Sequence, residues 1–233
     1  MPLETETSYG PSALSFTDRH KLLRGMSQQA LHQFNAMMRT TKRRRGEWIF
    51  VIGDPPDSIY LLQEGRIKMT ALAEDGHEVL HEIIGPGDIL GETSTILGIP
   101  RTTSAQALED SLLCKIRRKD FESLLSAHPE MSLQLLKSVG LRLKKAEAQL
   151  LNVICNDVST RVREALIDLI AIEARRRPDQ PVRIAITQQD LANLVGASRQ
   201  KTWQALKQLE SSSVLRLMYR GILVTAPHRL RNG

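Results

Sequence analysis

The chain has only two cysteines among its 233 residues. That number excludes a four-cysteine iron–sulfur centre and a zinc site made from paired CxxC motifs. Cys114 lies in the apolar run SLLCKI, which is typical of a strand, and Cys155 is far from it in the sequence. We expect both thiols to be inert packing residues, and we expect no resident metal.

Long hydrophobic runs are also missing, since no stretch approaches the roughly 18 to 20 apolar residues of a membrane helix. The first residues, MPLETETSYG, have neither the basic nor the hydrophobic part of a signal peptide. A P-loop, a dinucleotide fingerprint and a nucleophile–base arrangement are absent from the sequence as well. We therefore expect a cytoplasmic protein that contacts no membrane and is not an enzyme.

Charge is present but unevenly distributed. Residues 1–155 contain 19 Lys and Arg against 19 Asp and Glu, whereas residues 156–233 contain 13 against 7. The formal excess of +6 therefore lies in the last third of the chain. This asymmetry favours a polyanion such as nucleic acid as the partner of the C-terminal part. A basic surface that serves only solubility is the alternative.

Short apolar runs between about residues 45 and 116 predict strands of an antiparallel barrel or sandwich. The runs are WIFVI, IYLLQ, RIKMTAL, VLHEII and SLLCKI. Turn signals separate them at Gly53-Asp54, Glu64-Gly65, Asp75-Gly76 and Gly85-Pro86-Gly87-Asp88. The preceding segment HKLLRGMSQQALHQFNAMM has helical spacing, and KRRR at 42–45 is predicted to be a solvated face before the first strand.

After Pro129, apolar residues recur with the spacing 3, 4, 3, 4, 3, which is a heptad pattern on a helix of about 25 residues. We call these positions the seam: Leu136, Val139, Leu143, Ala146, Leu150 and Val153. Such a long, narrow stripe favours a partner helix and therefore a homodimer. Packing of this helix on its own barrel is the alternative.

Beyond a further helical pattern, RVREALIDLIAIEARR, and the turn-rich RPDQPVRIAI, the segment TQQDLANLVGASRQKTWQALKQLE predicts two short helices. Thr187 and Asp190 form a capping box for the first helix. Gly196 permits a tight turn, and the hydroxyl of Ser198 can cap the second helix. Two short helices joined by a glycine turn indicate a helix-turn-helix.

The second of these helices has two distinct faces. Its apolar face carries Thr202, Leu206 and Leu209, and the opposite face carries Gln200, Trp203, Gln204 and Lys207, with Arg199 in the first turn. The following VLRLMYRGILVTA alternates around Arg220-Gly221, which predicts a two-stranded wing.

Residues 91–103, GETSTILGIPRTT, which we call the cassette, combine a carboxylate, a guanidinium, hydroxyls and a glycine backbone. These groups suit a ligand that carries both hydroxyl and phosphate.

The order of barrel, seam helix, helix-turn-helix and wing resembles the catabolite activator (CRP/FNR) family of bacterial transcription regulators. The resemblance covers roughly residues 20 to 225. Three segments carry it: GEWIFVIGDPPDSIYLLQEGRIKM, GETSTILGIPRT and TQQDLANLVGASRQKTWQALKQLE.

The resemblance implies that the cassette binds the sugar and phosphate of a cyclic nucleotide, cAMP or cGMP. Glu92 would accept a hydrogen bond from the ribose 2′-hydroxyl, and Arg101 would pair with the cyclic phosphate. Thr102 would donate to a phosphate oxygen, and Gly91 would allow close backbone approach. Thr103 stands where a small apolar residue is usual.

The purine contact departs from the family pattern. Cyclic-AMP-binding relatives place a Thr-Ser pair in the middle of the long helix, where this chain has Ala146 and Glu147. An ionised Glu147 only accepts hydrogen bonds, so it would take the adenine amino group, or the ring N–H and amino group of guanine. A solvated helix flank is the alternative.

For DNA, a two-fold dimer implies a pseudo-palindrome with half-sites about 34 to 36 Å apart. We expect Arg199 to read guanine, and Gln200 and Gln204 to read further bases. The remaining predicted contacts are mainly to phosphates. The DNA-binding set is Thr187, Ser198, Arg199, Gln200, Lys201, Trp203, Gln204, Lys207 and Arg220. Trp203 covers a thymine methyl or packs beside the wing.

Four other functions are alternatives. Some relatives keep the fold without a nucleotide, and others sense gas through haem, but the Glu92/Arg101 pair argues against both. A kinase or channel regulatory subunit would have no use for a helix-turn-helix. A cupin-like metal enzyme has as candidate ligands only His77, Glu78, His81 and Glu82, which lack the HxH spacing of that family.

We therefore predict an α+β homodimeric transcription regulator that binds double-stranded DNA and RNA polymerase. Its predicted parts are a flexible segment over residues 1–18, an antiparallel cyclic-nucleotide-binding β-roll over 19–128, a dimerisation helix over 129–155 and a winged helix-turn-helix over 156–233.

Overall fold

A computed structural model describes residues 20–74, 76, 78–174, 181–219 and 221–230. The predicted flexible residues 1–18 lie outside the described residues. The α-helices are α1 Gln28–Met37, α2 Glu92–Leu97, α3 Arg118–Ala127, α4 Pro129–Cys155, α5 Val158–Ala174, α6 Gln188–Leu194 and α7 Arg199–Ser211. The first eight strands are β1 Arg39–Arg43, β2 Trp48–Phe50, β3 Ser58–Glu64, β4 Ile67–Leu72, β5 Glu78–Ile84, β6 Ile89–Leu90, β7 Ser104–Ala107 and β8 Ser111–Arg117. Three more follow the long helices: β9 Val182–Ile184, β10 Leu215–Met218 and β11 Gly221–Val224.

The structure divides into two compact units. The N-terminal unit comprises the described residues up to Ala71 together with Ile83–Lys144. The C-terminal unit comprises Leu72–Glu82 and the described residues from Lys145 onwards. The predicted α+β fold is confirmed.

Two four-stranded antiparallel sheets, in the orders β1-β8-β3-β6 and β2-β7-β4-β5, form the roll. Strand β3 shows how it is filled, because successive side chains of a strand point to opposite faces. Tyr60 and Leu62 join a core of residues from both sheets, whereas Ile59 and Leu61 join a second core. That second core contains Phe34 of α1, Phe121 of α3 and the first turns of α4. The apolar residues 59–62 of the run IYLLQ are thus buried on both faces of the strand.

The segment predicted as one helix before the roll is broken. A 3₁₀ turn spans Lys21–Leu23, Gly25 has a φ of +87°, and α1 begins only after Ser27. The hydroxyl of Ser27 accepts from the backbone N of Ala30 at 3.2 Å, which caps α1. His20 caps the 3₁₀ turn by accepting from the N–H of Leu22 at 3.3 Å.

Two further sequence expectations need correction. Lys42 and Arg43 belong to β1 itself, so the KRRR segment is not a face before the first strand, although its side chains are mostly exposed. Cys114 is buried in β8, as expected, and burial raises its pKa to about 12. Cys155, in contrast, is exposed at the end of α4 and is therefore not a packing residue within the chain.

Helix α4 has 27 residues and begins at Pro129, where the sequence pattern changes. This agrees with the predicted length of about 25. Proline is well suited to the first position of a helix, because its missing N–H would have no partner there. Among the helices of the described residues, none is long and apolar enough to cross a membrane.

In the C-terminal unit, α5, α6 and α7 accompany a three-stranded sheet in the order β10-β11-β9. The predicted wing hairpin is present, with Leu215 paired to Val224 and Met218 to Gly221. Strand β9 was not predicted, because it lies in the turn-rich RPDQPVRIAI. Its pairing with β11 joins Val182 to Val224 across about 40 residues of chain, a non-local contact that local patterns do not reveal.

Candidate functional site

The cassette folds around two left-handed glycines. Gly91 has a φ of +82° and begins α2, and Gly98 has a φ of +68° and ends it. A methyl group on Gly91 would lie 2.7 Å from Nη1 of Arg101, so the guanidinium would have to move away from it. The absence of a side chain at Gly91 thus leaves room for the guanidinium of Arg101, and the predicted approach of a ligand to the Gly91 backbone stays a prediction.

Arg101 is almost wholly enclosed, with 3% of its surface exposed. Its Nη1 donates to the carbonyl oxygen of Gly91 at 2.5 Å and to the hydroxyl of Thr95 at 3.3 Å. Its Nη2 donates to the carbonyl oxygen of Ser58. The guanidinium carbon lies 4.5 Å from the ring centroid of Phe50, in a cation–π contact. Four protein groups thus fix the guanidinium in one orientation.

The described groups that contact this buried cation are all uncharged. Within the described part of the chain no carboxylate pairs with Arg101, and its Nε is buried without an acceptor. Burial lowers the pKa of Arg101, and Tyr60, Asp57, Asp54 and Glu92 act in the opposite direction. A buried charge that lacks its counter-charge costs several kcal/mol. An anion that reaches this guanidinium would therefore be bound strongly.

Glu92, the first residue of α2, is the second buried charge of the cassette, with 2% of its surface exposed. Its Oε1 accepts from the Thr93 hydroxyl at 3.2 Å and forms an ion pair with Nη1 of Arg142 on α4. Nη2 of Arg142 also donates to the carbonyl oxygen of Ile89. Both interactions of Glu92 use Oε1, which leaves Oε2 for a further donor.

Arg142 is a site residue that the sequence reasoning missed. It is 50 positions away from Glu92 and lies among the apolar residues of α4. The available signal was its position one helical turn before Ala146, which was already a candidate.

The other predicted ligand contacts are near the surface. Thr102 is exposed and Thr103 is partly buried, while Ala146 and Glu147 are exposed on α4. Their assignment to nucleotide binding stays a prediction.

The helix-turn-helix has the predicted local construction. The Thr187 hydroxyl accepts from the N–H of Asp190 at 3.0 Å and donates to its carboxylate at 2.7 Å, so this residue is engaged as the cap of α6. Gly196 has the left-handed φ of +60° that the turn requires. The Ser198 hydroxyl accepts from the N–H of Lys201 at 3.3 Å and begins α7.

Helix α7 separates its faces as predicted. Thr202, Leu206 and Leu209 are buried. The solvent-facing residues include Arg199, Gln200, Lys201, Gln204 and Lys207, with Trp203 partly buried. Lys207 has two partners within the chain: its Nζ lies 2.8 Å from the carboxylate of Glu210 and 4.9 Å from the ring centroid of Trp203. Arg220 lies outside the described residues.

All six seam residues are exposed in the single chain, five of them large and apolar. Leu136 and Leu150 expose 67% and 62% of their surface. An apolar stripe left open in this way marks an interaction surface.

For a metal, the described residues contain no group of three His, Cys, Asp or Glu side chains able to hold an ion. Glu78 and Glu82 lie in β5, while His77 and the side chain of His81 are outside the described part.

Comparison with known proteins agrees with this geometry. Residues 40–128 match the cyclic nucleotide-binding domain, and residues 160–232 match the Crp-like helix-turn-helix domain. A CRP-like cAMP-activated global transcriptional regulator of Mycobacterium tuberculosis is 30% identical over 214 residues, which cover 91% of this chain and 95% of the relative. The cyclic AMP receptor protein of Thermus thermophilus is 30% identical over 173 residues, 74% of this chain and 77% of that protein.

Solved structures give the same fold. The crystal structure of Thermus thermophilus catabolite activator protein is 25% identical, covers 91% of this chain and 97% of its own, and has a TM-score of 0.52. A CRP/FNR-family regulator of the same organism is 22% identical over 83% of this chain and 96% of its own, with a TM-score of 0.70.

The fold and the two matched domains define a DNA-binding transcription regulator with a cyclic nucleotide-binding domain. The chain belongs to the CRP/FNR family of transcription regulators.

Proposed function

We propose that this regulator is a homodimer whose affinity for DNA changes when cAMP or cGMP binds the cassette. The observation that carries the proposal is Arg101, a buried guanidinium that is oriented by carbonyl oxygens and paired with no carboxylate in the described residues. A cyclic phosphate would supply the missing negative charge, and the unpaired Nε would become a donor to it.

The ribose would bind at Glu92. Oε1 of this carboxylate is engaged by Arg142, but Oε2 is open to a 2′-hydroxyl. Arg142 belongs to α4, so a sugar that shares Glu92 with Arg142 acts on an ion pair between the cassette and the long helix. Such a ligand changes the equilibrium between two states only if it binds one of them more tightly.

The base would meet the long helix, where Glu147 replaces the hydroxyl that is usual in cAMP-binding relatives. Its exposed carboxylate accepts hydrogen bonds only, so it favours bases that present N–H groups. Guanine offers two such groups and adenine one, and we therefore expect cGMP to compete with cAMP.

Calorimetric titration with cAMP and with cGMP tests the proposal, each repeated with DNA selected by the protein from a randomised library. Linear 5′-AMP is the matched control, because it has the same base and sugar without the cyclic phosphate. We expect saturable binding of at least one cyclic nucleotide and a changed affinity when DNA is present. Glu147→Gln, which keeps the shape and removes the charge, should weaken cGMP more than cAMP.

The dimer is supported by the exposed seam. We expect Leu143→Asp to yield monomers in sedimentation, because a carboxylate would have to be buried between two apolar stripes, at a cost of several kcal/mol. Leu141→Asp is the matched control: Leu141 is on the same helix and is 67% exposed, but it does not belong to the seam. If both variants stay dimeric, the seam is not the interface.

A regulator that needs no nucleotide is the second candidate. It is favoured by the hydrogen bonds of Arg101 and the ion pair of Glu92 with other groups of the protein. This candidate would be supported if the protein bound the selected DNA equally well in the presence and in the absence of each cyclic nucleotide. In either case we expect the regulator to act in the cytoplasm and to contact RNA polymerase.

A further inference from the structure

Arg161 of α5 contacts the turn of the helix-turn-helix. Its Nη1 donates to the carbonyl oxygen of Val195 at 2.9 Å and to that of Gly196 at 3.1 Å. Val195 is the C-cap of α6, and Gly196 is the left-handed residue of the turn. The last carbonyls of a helix lack partners within it and carry the negative end of its dipole, so a guanidinium is well placed to bind them.

The turn also lies close to the end of the long helix. A methyl group placed on Gly196 would lie 3.5 Å from Cγ2 of Val153 and 3.6 Å from Nη1 of Arg161. Gly196, although exposed, thus lies beside Val153, the last seam residue, and beside Arg161. All three residues belong to the C-terminal unit.

The position of this turn determines where the DNA-reading helix begins. Only Ala197 separates Gly196 from Ser198, the cap of α7. Arg199 and Gln200 follow directly in the first turn of α7, the part of a recognition helix that meets base edges. A displacement of Gly196 by a fraction of an ångström would therefore be passed to Arg199 and Gln200 with little chain between to absorb it.

We propose that Arg161 is a positioning residue for DNA recognition: by binding the carbonyls of Val195 and Gly196 it holds the turn against Val153 and so fixes the entry of α7 toward the DNA. Arg161 itself contacts no base in this assignment. The proposal uses the DNA-binding role of the family and is independent of which nucleotide the cassette binds.

The test compares specific with nonspecific DNA binding of the full chain. Wild type first selects a DNA duplex from a randomised library, and a scrambled duplex of equal length serves as the nonspecific probe. We expect Arg161→Gln to lower affinity for the selected duplex about ten-fold or more, and affinity for the scrambled duplex by less than about two-fold. Arg161→Lys, which keeps a donor and the charge, should recover part of the loss.

Arg163→Gln is the matched control, because it removes the same charge two residues further along α5 without a hydrogen bond to the turn in the described structure. It should leave the ratio of the two affinities at the wild-type value. Hydrogen exchange provides a second measurement: in Arg161→Gln and Arg161→Lys the amides of Lys201 and Thr202 should exchange faster, whereas those of the roll should not change.

Three results would overturn the proposal. The first is an unchanged ratio of specific to nonspecific affinity in Arg161→Gln. The second is an equal loss of both affinities with a salt slope lower by about 1, which would make Arg161 a phosphate contact. The third applies if Arg161→Gln does not fold and Arg161→Lys is the only variant measured. It is a wild-type ratio of specific to nonspecific affinity in Arg161→Lys, together with wild-type hydrogen exchange at Lys201 and Thr202.

Discussion

The two compact units differ in where they keep their charged groups. Among the described residues, the buried charged or histidine side chains are His20, Arg66, Glu92 and Arg101, and all four lie in the N-terminal unit. The buried polar side chain of the C-terminal unit is Thr202, which is uncharged. In that unit the basic residues of α7 are directed to solvent.

This difference matches two modes of recognition. A small anion is bound strongly when it reaches a cation that is already desolvated and fixed, because little reorganisation remains to be done. A long polyanion is bound by many exposed cations that release counterions, and none of them needs to be buried. We expect the cassette to use the first mode and α7 the second.

The largest effect on this difference between the units is expected when the buried cation of the cassette, Arg101, is replaced. We expect Arg101→Lys to weaken cyclic nucleotide binding by about 2 to 5 kcal/mol, because the ammonium keeps the charge but loses the planar fork. Calorimetry with cAMP and cGMP measures the change. Arg117→Lys is the control, since Arg117 is exposed in an ion pair with Asp120. Unchanged affinity in Arg101→Lys would remove Arg101 from the binding site.

The second test uses pH. Burial lowers the pKa of His20 to about 4 from 6.5, with smaller opposing contributions from Asp88 and a lowering one from Lys21. Between these values the unfolded chain binds a proton that the native chain does not. The free energy of unfolding should therefore fall as pH falls from 6.5 to 4, by up to roughly 3 kcal/mol, and the loss should level off below pH 4.

Urea unfolding at pH 7 and at pH 5 measures this effect. His20→Asn keeps an oxygen that can cap the 3₁₀ turn and removes the titrating group. We expect the wild type to lose about 2 kcal/mol more than His20→Asn between the two pH values. Equal losses in the two proteins would show that His20 does not titrate abnormally.

A third, smaller effect concerns the exposed cations of α7. Arg199→Ala should lower specific DNA affinity by about 1 to 3 kcal/mol and relax the preference at one base pair. Lys201→Ala should weaken all duplexes alike and reduce the salt slope by about 1. Selection from a randomised library distinguishes them, and a wild-type preference at every position in Arg199→Ala would show that Arg199 reads no base.

The smallest expected effect is on a cap. Thr187→Ala removes the acceptor that holds the N–H of Asp190, at a cost of about 1 kcal/mol to the C-terminal unit. Hydrogen exchange in α6 should increase, while nucleotide affinity should stay the same. Exchange that increases equally in the roll would contradict an effect confined to the C-terminal unit.

The features predicted from the sequence are those that depend on neighbouring residues. The Thr187 and Ser198 caps, the left-handed Gly196 and the start of α4 at Pro129 all follow from short patterns, and the structure has each of them. Strands β2, β3, β4, β5 and β8 of the roll were also anticipated, because turn residues separate their apolar runs, whereas β1, β6 and β7 were not predicted. The break before α1 was missed, although Gly25 and Ser27 carried the signal.

The missed features depend on residues that are far apart in the chain. The position of Arg142 one turn before Ala146 hinted at the site, but no local pattern shows that it pairs with Glu92. Nor does any local pattern indicate that β9 pairs with β11 or that Arg161 binds the carbonyls of Val195 and Gly196. The role of Gly91 shows the same limit. Its need for a left-handed backbone is local, but the group that occupies the space of its absent methyl comes from Arg101.

If the seam is the dimer interface and Arg161 positions the turn, as proposed above, the proximity of Val153 to Gly196 has an evolutionary consequence. Val153 belongs to the predicted seam and also lies next to the turn of the helix-turn-helix. A substitution there that alters which chains pair with each other also alters how the operator is read, unless Gly196 or Arg161 changes as well. Duplicated copies of this regulator would therefore not diverge in choice of partner and in choice of DNA sequence independently.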